Sequence, residues 1–218
     1  GGHGFNALPC YGSLVAPTNL GSGGAGGYGG GAILLRVSGM ISNGGLISAK
    51  SAGDGSGNYS GSGGSVFLIA GALIGGGTIL ADGWSGGWPG AAGRIAIVVT
   101  NAGADFAAYT GPIQARASTG GGTVYLRTAA QRPDEGTLIL ENNASTGYPT
   151  EIASNVTDTT VGNVFIRNNG YLLVCSNQTL TVGGIWSNSA SFASQWGSQI
   201  IFAGNAASTS TVYGSNTF

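Results

Sequence analysis

The chain has few charged residues and few of the residues that favour helices. Asp, Glu, Lys and Arg make up 7% of its 218 residues, against about 25% in an average protein. Gly costs roughly 1 kcal/mol at each helix position, and the chain has 44 of them. A helical protein is therefore disfavoured. Nucleic-acid binding through a basic patch is also poorly supported, because seven Lys and Arg face eight Asp and Glu.

Several other protein classes are excluded by what is missing. Collagen is excluded, because Gly does not recur at every third position and there are only six Pro. Ordinary disorder fits poorly with 42% hydrophobic residues and a net charge of −1. No apolar run is long enough to span a membrane, and no basic segment precedes an apolar stretch as in a signal peptide. Both ends are abrupt, which predicts a processed or excised piece of a longer protein.

The most informative feature is an internal repeat. Four segments begin with Gly and continue into a short apolar, β-rich run, and their first residues lie 29 or 33 residues apart, at Gly31, Gly64, Gly93 and Gly122. Each is followed by a second short run, at 45–49, 77–81, 111–115 and 136–140. A unit of this size cannot bury its apolar face alone, whereas stacked units can.

We therefore predict an all-β fold, a parallel β-helix with glycine-rich repeats of about 30 residues. Alternation, as in Ile95-Ala96-Ile97, places one side of each strand inward. A β-sandwich is the main alternative, because it also uses short strands with glycine turns; the regular repeat favours the β-helix. After about residue 140, Gly gives way to Asn, Ser and Thr, and shorter coils are expected. The prediction is one elongated domain, with an N-terminal extension at 1–20, glycine-rich repeats at 21–140 and their continuation at 141–218.

Three sequence stretches carry a resemblance to a known class. They are Gly-Arg-Ile-Ala-Ile at 93–97, Gly-Pro-Ile-Gln-Ala at 111–115 and Gly-Gly-Gly-Thr-Val-Tyr-Leu at 120–126. Together with 166–174 and the tail from 187 to 218, they resemble the glycine-rich β-helical repeats of large bacterial surface proteins. The resemblance covers roughly residues 20–218. It implies an adhesin, matrix component or surface fibre, and it supplies no catalytic residues.

Four aromatic residues in glycine-rich loops are candidate contacts for a ligand or partner. Trp84 and Trp88 share one loop, and Tyr28 and Tyr59 occupy the equivalent loops of earlier repeats. Exposed rings stack on sugars or pack into a partner. The alternative is that the Trp rings cover the glycine-rich corner, because Trp is well buried on average. An aromatic ladder along one edge is predicted in either case.

The sequence offers little support for a metal site. Asp54 to Asn58 place oxygen ligands at alternate positions, as in the first half of a calcium loop. Tyr59 stands where that loop needs Gly, and no Glu closes it. A polar turn is the expected structure. One His and two distant Cys exclude zinc.

Catalysis is not expected either. The eight acidic residues are scattered, and Asp134 and Glu135 are the only close pair, in a turn that Arg132 can screen. His3 alone does not make a Ser-His-Asp set credible. A polysaccharide-degrading β-helix would need three or more acids gathered in one groove. We therefore predict no enzymatic activity and no cofactor.

The two cysteines, Cys10 and Cys175, are candidates for a disulfide or for assembly. On the β-helix interpretation about five coils of about 4.8 Å separate them, or roughly 24 Å. A disulfide needs Cα atoms within about 7 Å. An intrachain disulfide thus requires the N-terminal segment to fold back along the stack. Otherwise the thiols are free or link subunits, as would suit a fibre.

The leading functional hypothesis follows from the open ends of such a stack. End coils leave backbone groups unpaired, and residues 210–218, with the candidate contacts Val212, Tyr213 and Phe218, carry no charge. We predict an extracellular or cell-surface structural subunit that self-associates into a filament or matrix, as a homo-oligomer or homopolymer. The alternative is a glycan-binding segment of an adhesin or phage fibre that uses the loop aromatics. No nucleic-acid partner and no membrane span are expected.

Overall fold

The computed structural model describes residues 9–24, 26–53, 61–84, 89–142, 147–204 and 209–218. Within these ranges the chain forms nineteen strands and no helix, so the prediction of an all-β class is confirmed. The strands are β1 (Gly12–Ser13), β2 (Ala32–Ser42), β3 (Leu46–Ser48), β4 (Ser65–Ile74), β5 (Thr78–Leu80), β6 (Arg94–Val99), β7 (Ile113–Gln114), β8 (Thr123–Arg127), β9 (Thr137–Glu141), β10 (Thr150–Ile152), β11 (Val156–Thr157), β12 (Thr160–Val161), β13 (Asn163–Arg167), β14 (Tyr171–Val174), β15 (Thr179–Val182), β16 (Ile185–Asn188), β17 (Ser191–Ser194), β18 (Gln199–Phe202) and β19 (Thr211–Gly214).

Eight of these strands form one main sheet, in the order β19-β16-β13-β9-β8-β6-β4-β2. Three sheets of three strands accompany it, β3-β5-β7, β10-β14-β17 and β12-β15-β18, and β1 pairs with β11. Every strand pair described is parallel except β8 with β9. Predominantly parallel pairing differs from the antiparallel sheets of a β-sandwich.

The repeats found in the sequence are paired in register. Ala32, Ser65, Arg94 and Thr123, which follow the four repeat glycines, lie side by side on β2, β4, β6 and β8. The second runs at 45–49, 77–81 and 111–115 contain β3, β5 and β7, which also pair in parallel. Towards the C-terminus, paired residues are 20 or 22 residues apart between β13, β14 and β15 and the strands that follow them. The predicted shortening of the repeat is therefore observed in the strand register.

Close strand spacing requires the glycine that opens each of the later repeats. A Cβ on Gly93 would overlap the carbonyl oxygen of Gly64, and a Cβ on Gly122 would overlap that of Gly93. Gly31 opens the first repeat, and a Cβ there would meet no atom within 4 Å. Glycine is thus sterically required wherever a preceding repeat lies against the position.

The run 136–140 corrects the sequence interpretation. It was expected as the second run of the fourth repeat, yet it belongs to β9 and pairs antiparallel with β8 in the main sheet. A tight turn causes the reversal. The Tyr125 hydroxyl donates to the carbonyl oxygen of Pro133 at 2.6 Å and accepts from Gly136 N–H at 3.1 Å. The Glu135 carboxylate accepts from Arg132 N–H and Nε at 2.9 and 2.8 Å.

The main sheet has a hydrophobic core on each face. Ile95 belongs to one buried cluster, which includes residues of the β3-β5-β7 sheet, and Ala96 belongs to the other. Neighbouring side chains of a strand point to opposite faces. Tyr125 pairs with Leu138 across the β8–β9 junction, and both belong to the second cluster. The first core therefore lies along β2 to β8, and the second core lies mainly along β9 to β19.

The N-terminal segment, residues 9–22, packs on the second core. Leu14 is fully buried there. The buried guanidinium of Arg94 donates from Nε to the carbonyl oxygen of Tyr11 at 3.2 Å, and burial lowers the pKa of Arg94. The Ser65 hydroxyl donates to the carbonyl oxygen of Asn19 at 2.6 Å. The first residues of β4 and β6 thus bind the N-terminal segment to the main sheet.

Candidate functional site

The first open end of the main sheet is β2, which pairs with β4 alone among the described strands. Leu35 lies beside Leu68 and Val37 beside Ala70. Leu68 and Ala70 are buried, whereas Leu35 is 39% and Val37 37% exposed, because no described strand covers β2. Other apolar side chains exposed at this end are Leu34, Met40 and Leu46.

The second open end is β19, which pairs with β16 alone among the described strands. Of the predicted assembly residues, Val212 and Tyr213 lie on β19, and Phe218 follows it. Val212 pairs with Trp186, which is fully buried, yet Val212 is 44% exposed. Tyr213 is also exposed. Phe218 is partly exposed and packs its ring against Trp186, with the ring centroids 5.7 Å apart. The Phe218 ring also lies 5.5 and 5.7 Å from the rings of Phe192 and Phe202, so it caps part of this end. Val212 and Tyr213 stay exposed beside it.

Both ends lack the charges that normally protect edge strands. Arg36 is the one charged residue of 32–48, and 209–218 has none. Edge strands present unpaired N–H and C=O groups, and Lys or Pro often blocks their pairing with another chain. Neither end of the main sheet has this protection.

Two of the four predicted contact aromatics can be located. The Trp84 backbone N–H donates to the Ser51 hydroxyl at 2.6 Å, and Lys50 Nζ lies 5.3 Å from the Trp84 ring centroid. A Cβ on Gly53 would lie 2.8 Å from Trp84 Nε1, so this ring covers a glycine. Tyr28 forms a bridge with Ala52 and is exposed.

The remaining loop candidates cannot be placed in this way. Trp88, Tyr59 and the calcium-loop candidate at 54–58 lie outside the described residues, as does His3.

Trp196 is an exposed aromatic that the sequence interpretation missed. Its side chain is 86% exposed, on a turn closed by a hydrogen bond from Ser198 N–H to the Gln195 carbonyl oxygen at 3.0 Å. Gly197 follows it with a φ of 74°. The sequence signal for this exposed ring is the dipeptide Trp196-Gly197, because a glycine that adopts the left-handed region marks a turn.

The N-terminal segment folds back and places Cys10 beside β10, where Cys175 already lies because it follows β14. Cys10 Sγ accepts a long hydrogen bond from Glu151 N–H at 3.5 Å, and Cys175 N–H donates to the Ile152 carbonyl oxygen at 3.1 Å. Both thiols are free, and Cys10 is buried. Burial raises the pKa of Cys175 to about 11, with further contributions from Glu151 and Cys10. The stack therefore does not separate them by five coils, but β10 lies between them.

We expect both thiols to resist alkylation in the folded protein. Thiolate is the reactive form, and Cys175 with a pKa of about 11 is almost entirely protonated at pH 8. The measurement is mass spectrometry after iodoacetamide at pH 8, with and without urea. Two adducts in urea and none under native conditions are expected. Rapid native labelling of Cys10 would contradict its buried position.

A column of alternating charges runs along one corner of the fold. Lys50, Asp82 and Arg116 each follow a buried alanine at the same place in three repeats. Asp82 accepts a hydrogen bond from Arg116 N–H at 2.8 Å. Burial raises the pKa of Asp82, and the charges of Lys50 and Arg116 act in the opposite direction. The sequence interpretation missed this column, although the repeat alignment contains it.

Glu141 continues this column beyond the repeats. Its carboxylate pairs with Arg116 Nη2 and accepts from Arg167 Nε at 3.1 Å. Burial alone would raise the pKa of Glu141, but the hydrogen bond and charge of Arg116, with those of Arg167, hold that pKa below its usual value. Two arginines thus share one largely buried carboxylate.

A groove of about 280 Å³ opens beside this ion pair. One wall is the end of the β3-β5-β7 sheet at β7, and the floor is the face of β8 and β9. The lining combines a charged end, Arg116, Glu141 and Arg167, with Gln114 and an apolar part that comprises Gly111, Pro112, Ile113, Val124, Leu126 and Ile139.

The acidic pair Asp134 and Glu135 lies in the turn before β9. Arg132 Nε is 2.8 Å from Glu135 and 3.9 Å from Asp134, and its side chain is largely exposed. Across the described ranges, no cluster of three or more His, Cys, Asp or Glu side chains is suited to a metal ion. No helix in that part of the chain is long and apolar enough to cross a membrane.

The chain was compared with protein-family models, curated proteins and solved structures, and none of them matches it.

Proposed function

We propose that each half of the chain winds as a parallel β-helix, with the two halves joined at the β8–β9 junction. The in-register stacking of β2, β4, β6 and β8 and of β9, β13, β16 and β19 supports this. When strand direction reverses, the sense of winding is preserved only if the interior moves to the other face of the sheet. The second core lies on that other face.

We propose that the protein is an extracellular structural subunit that assembles end to end into a filament or surface matrix. The observation that carries the proposal is the row of apolar side chains left exposed on both edge strands of the main sheet. Val37 and Val212 are 37% and 44% exposed, although their paired neighbours Ala70 and Trp186 are buried. Covering these side chains removes apolar surface from water, and pairing β19 with the β2 of the next copy is a head-to-tail contact that builds an open assembly.

Blocking one end at a time tests this assembly. Val37→Lys places a charge on β2, and Val212→Lys places one on β19. We expect wild-type protein to form larger species at increasing concentration, and each variant alone to stay monomeric. A mixture of the two variants should form a one-to-one dimer, because each retains one open end. Sedimentation velocity measures all four samples.

Ile185→Lys is the matched control. Ile185 is also 37% exposed, but it lies on β16, which is paired on both sides. This variant should assemble like the wild type. Wild-type protein that remains monomeric at every concentration would contradict the proposal, and so would a mixture of the two end variants that stays monomeric.

Glycan binding remains the second candidate, and the exposure of Tyr28 favours it. The Tyr28 side chain is 70% exposed. Tyr28 bridges Ala52, and the Trp84 ring, which lies under Lys50, covers the next residue, Gly53. A glycan array would test it. Binding that is lost in Tyr28→Ala, with assembly unchanged, would support this candidate; an array without any bound glycan would contradict it.

A further inference from the structure

The sheet β3-β5-β7 stops while the main sheet beneath it continues. β7 pairs with β5 alone among the described strands, whereas β8 continues into β9 and β13. The carbonyl oxygens of Pro112 and Gln114 accept at 2.9 Å from the N–H groups of Ile79 on β5 and of Ala81 directly after it. Because alternate carbonyls of a strand point to opposite sides, the carbonyl of Ile113 points away from β5. It faces the groove that Ile113 lines.

The three strands of this sheet share one side-chain pattern. A first column contains Ile47, Ile79 and Ile113, and a second contains Ala49, Ala81 and Ala115. The third column is Lys50, Asp82 and Arg116, with the sign of the charge alternating from strand to strand. A fourth strand beside β7 that continued this pattern would have Ile, then Ala, then an acidic residue.

The charged end of the groove has an unused donor. Arg116 Nε is buried and has no hydrogen-bond partner among the described residues. Glu141 already receives Nη2 of Arg116 and Nε of Arg167. Along the whole column, Lys50, Arg116 and Arg167 face the two carboxylates of Asp82 and Glu141, which leaves one positive charge in excess. A further carboxylate in the groove would complement that charge.

We propose that the groove beside β7 binds an extended peptide strand of a partner protein, parallel to β7, with the pattern Ile-x-Ala-acid. The peptide backbone pairs with the outward N–H and C=O of Ile113, as in other cases of strand addition to a sheet edge. Its Ile side chain packs on Val124 and Leu126, and its acidic residue meets Arg116 and Arg167. The groove is formed by β7, β8 and β9 rather than by β2 or β19, so this site is independent of end-to-end assembly.

The chain itself supplies the probe. The hexapeptide Gly-Thr-Ile-Leu-Ala-Asp is the sequence of 77–82, which already pairs with the other edge of β7. Fluorescence anisotropy of this peptide, labelled with fluorescein at its N-terminus, measures binding to the monomeric Val37→Lys variant. We expect saturable binding, and about tenfold weaker binding when Lys replaces the peptide's Asp.

Two changes separate the backbone contact from the charge contact. N-methylation of the peptide's Leu removes the N–H that would donate to Ile113, and we expect about tenfold weaker binding without any change to the protein. Arg116→Gln should remove the preference for Asp over Lys; a thermal melt shows whether this variant is folded. Equal affinity for the Asp and Lys peptides would overturn the proposal. Absence of peptide binding would overturn it too. So would an oligomer of the protein in which a second copy fills the groove and from which the peptide releases monomers.

Discussion

We expect Gly93→Ala to destabilise the protein by about 1–3 kcal/mol, the usual cost of forcing an extra group into a packed position. The added Cβ would overlap the carbonyl oxygen of Gly64. The Gly64 carbonyl oxygen accepts from Arg94 N–H and the Gly93 N–H donates to Ala81, so neither glycine can move without disturbing these strand contacts. Equilibrium unfolding in urea, followed by circular dichroism, measures the difference in free energy of unfolding.

Gly31→Ala is the control for that prediction. Gly31 has the same place in the first repeat, but a Cβ there would meet no atom within 4 Å. A surface change of this kind stays within about 0.5 kcal/mol. Equal stability of the two variants would contradict the stacking of repeats at Gly64 and Gly93.

The second large effect is expected at Glu141. Removing one partner from a buried ion pair leaves uncompensated charge, and we expect Glu141→Gln to cost about 3 kcal/mol. Two guanidinium groups, of Arg116 and Arg167, then face each other without a carboxylate. The same substitution at Glu135, whose partner Arg132 is largely exposed, should cost less than about 1 kcal/mol. Urea unfolding at pH 7 compares the three proteins, and similar losses at both sites would contradict a special role of Glu141.

The ion pair also predicts a pH dependence. The folded-state pKa of Glu141 lies below the ordinary value of 4.5, so its stabilisation is fully present above pH 4.5 and is lost as the pH falls through the folded-state value. Wild-type stability should therefore approach that of Glu141→Gln as the pH falls below 4.5. Asp82, whose pKa is raised by burial, acts in the opposite sense, but it is present in both proteins and does not affect the comparison. A constant difference between them down to the acid transition would argue against this assignment.

The sequence was informative where one residue type repeats. The glycines at 31, 64, 93 and 122 mark strand starts, because close approach of two backbones excludes every other residue at the later three. From these positions the register of β2, β4, β6 and β8 could be predicted. The second runs that contain β3, β5 and β7 followed from the same alignment.

The direction of β9 depends on side-chain contacts in the preceding turn, which the sequence pattern does not reveal. The run 136–140 resembles the earlier second runs, and only the hydrogen bonds of Tyr125 and Glu135 in the preceding turn show that the chain reverses there. That reversal then decides which face of the sheet becomes the second core. It also leaves the β3-β5-β7 sheet with an open edge, so the groove could not be predicted either.

The charge column and the cysteines illustrate the same limit. Lys50, Asp82 and Arg116 each directly follow a second run, so the repeat alignment contains the column, but the pairing of β3, β5 and β7 is what brings the three charges side by side. The position of Cys10 beside Glu151 depends on the path of the N-terminal segment, which carries no repeat. Long-range contacts of this kind leave no periodic signal in a sequence.

Negative-stain electron microscopy of the wild-type protein at increasing concentration tests the central claim most directly. End-to-end assembly predicts unbranched filaments that lengthen with concentration, are absent from Val37→Lys and do not change on reduction, because Cys10 is buried and both thiols are free. Uniform single particles at every concentration would contradict the account.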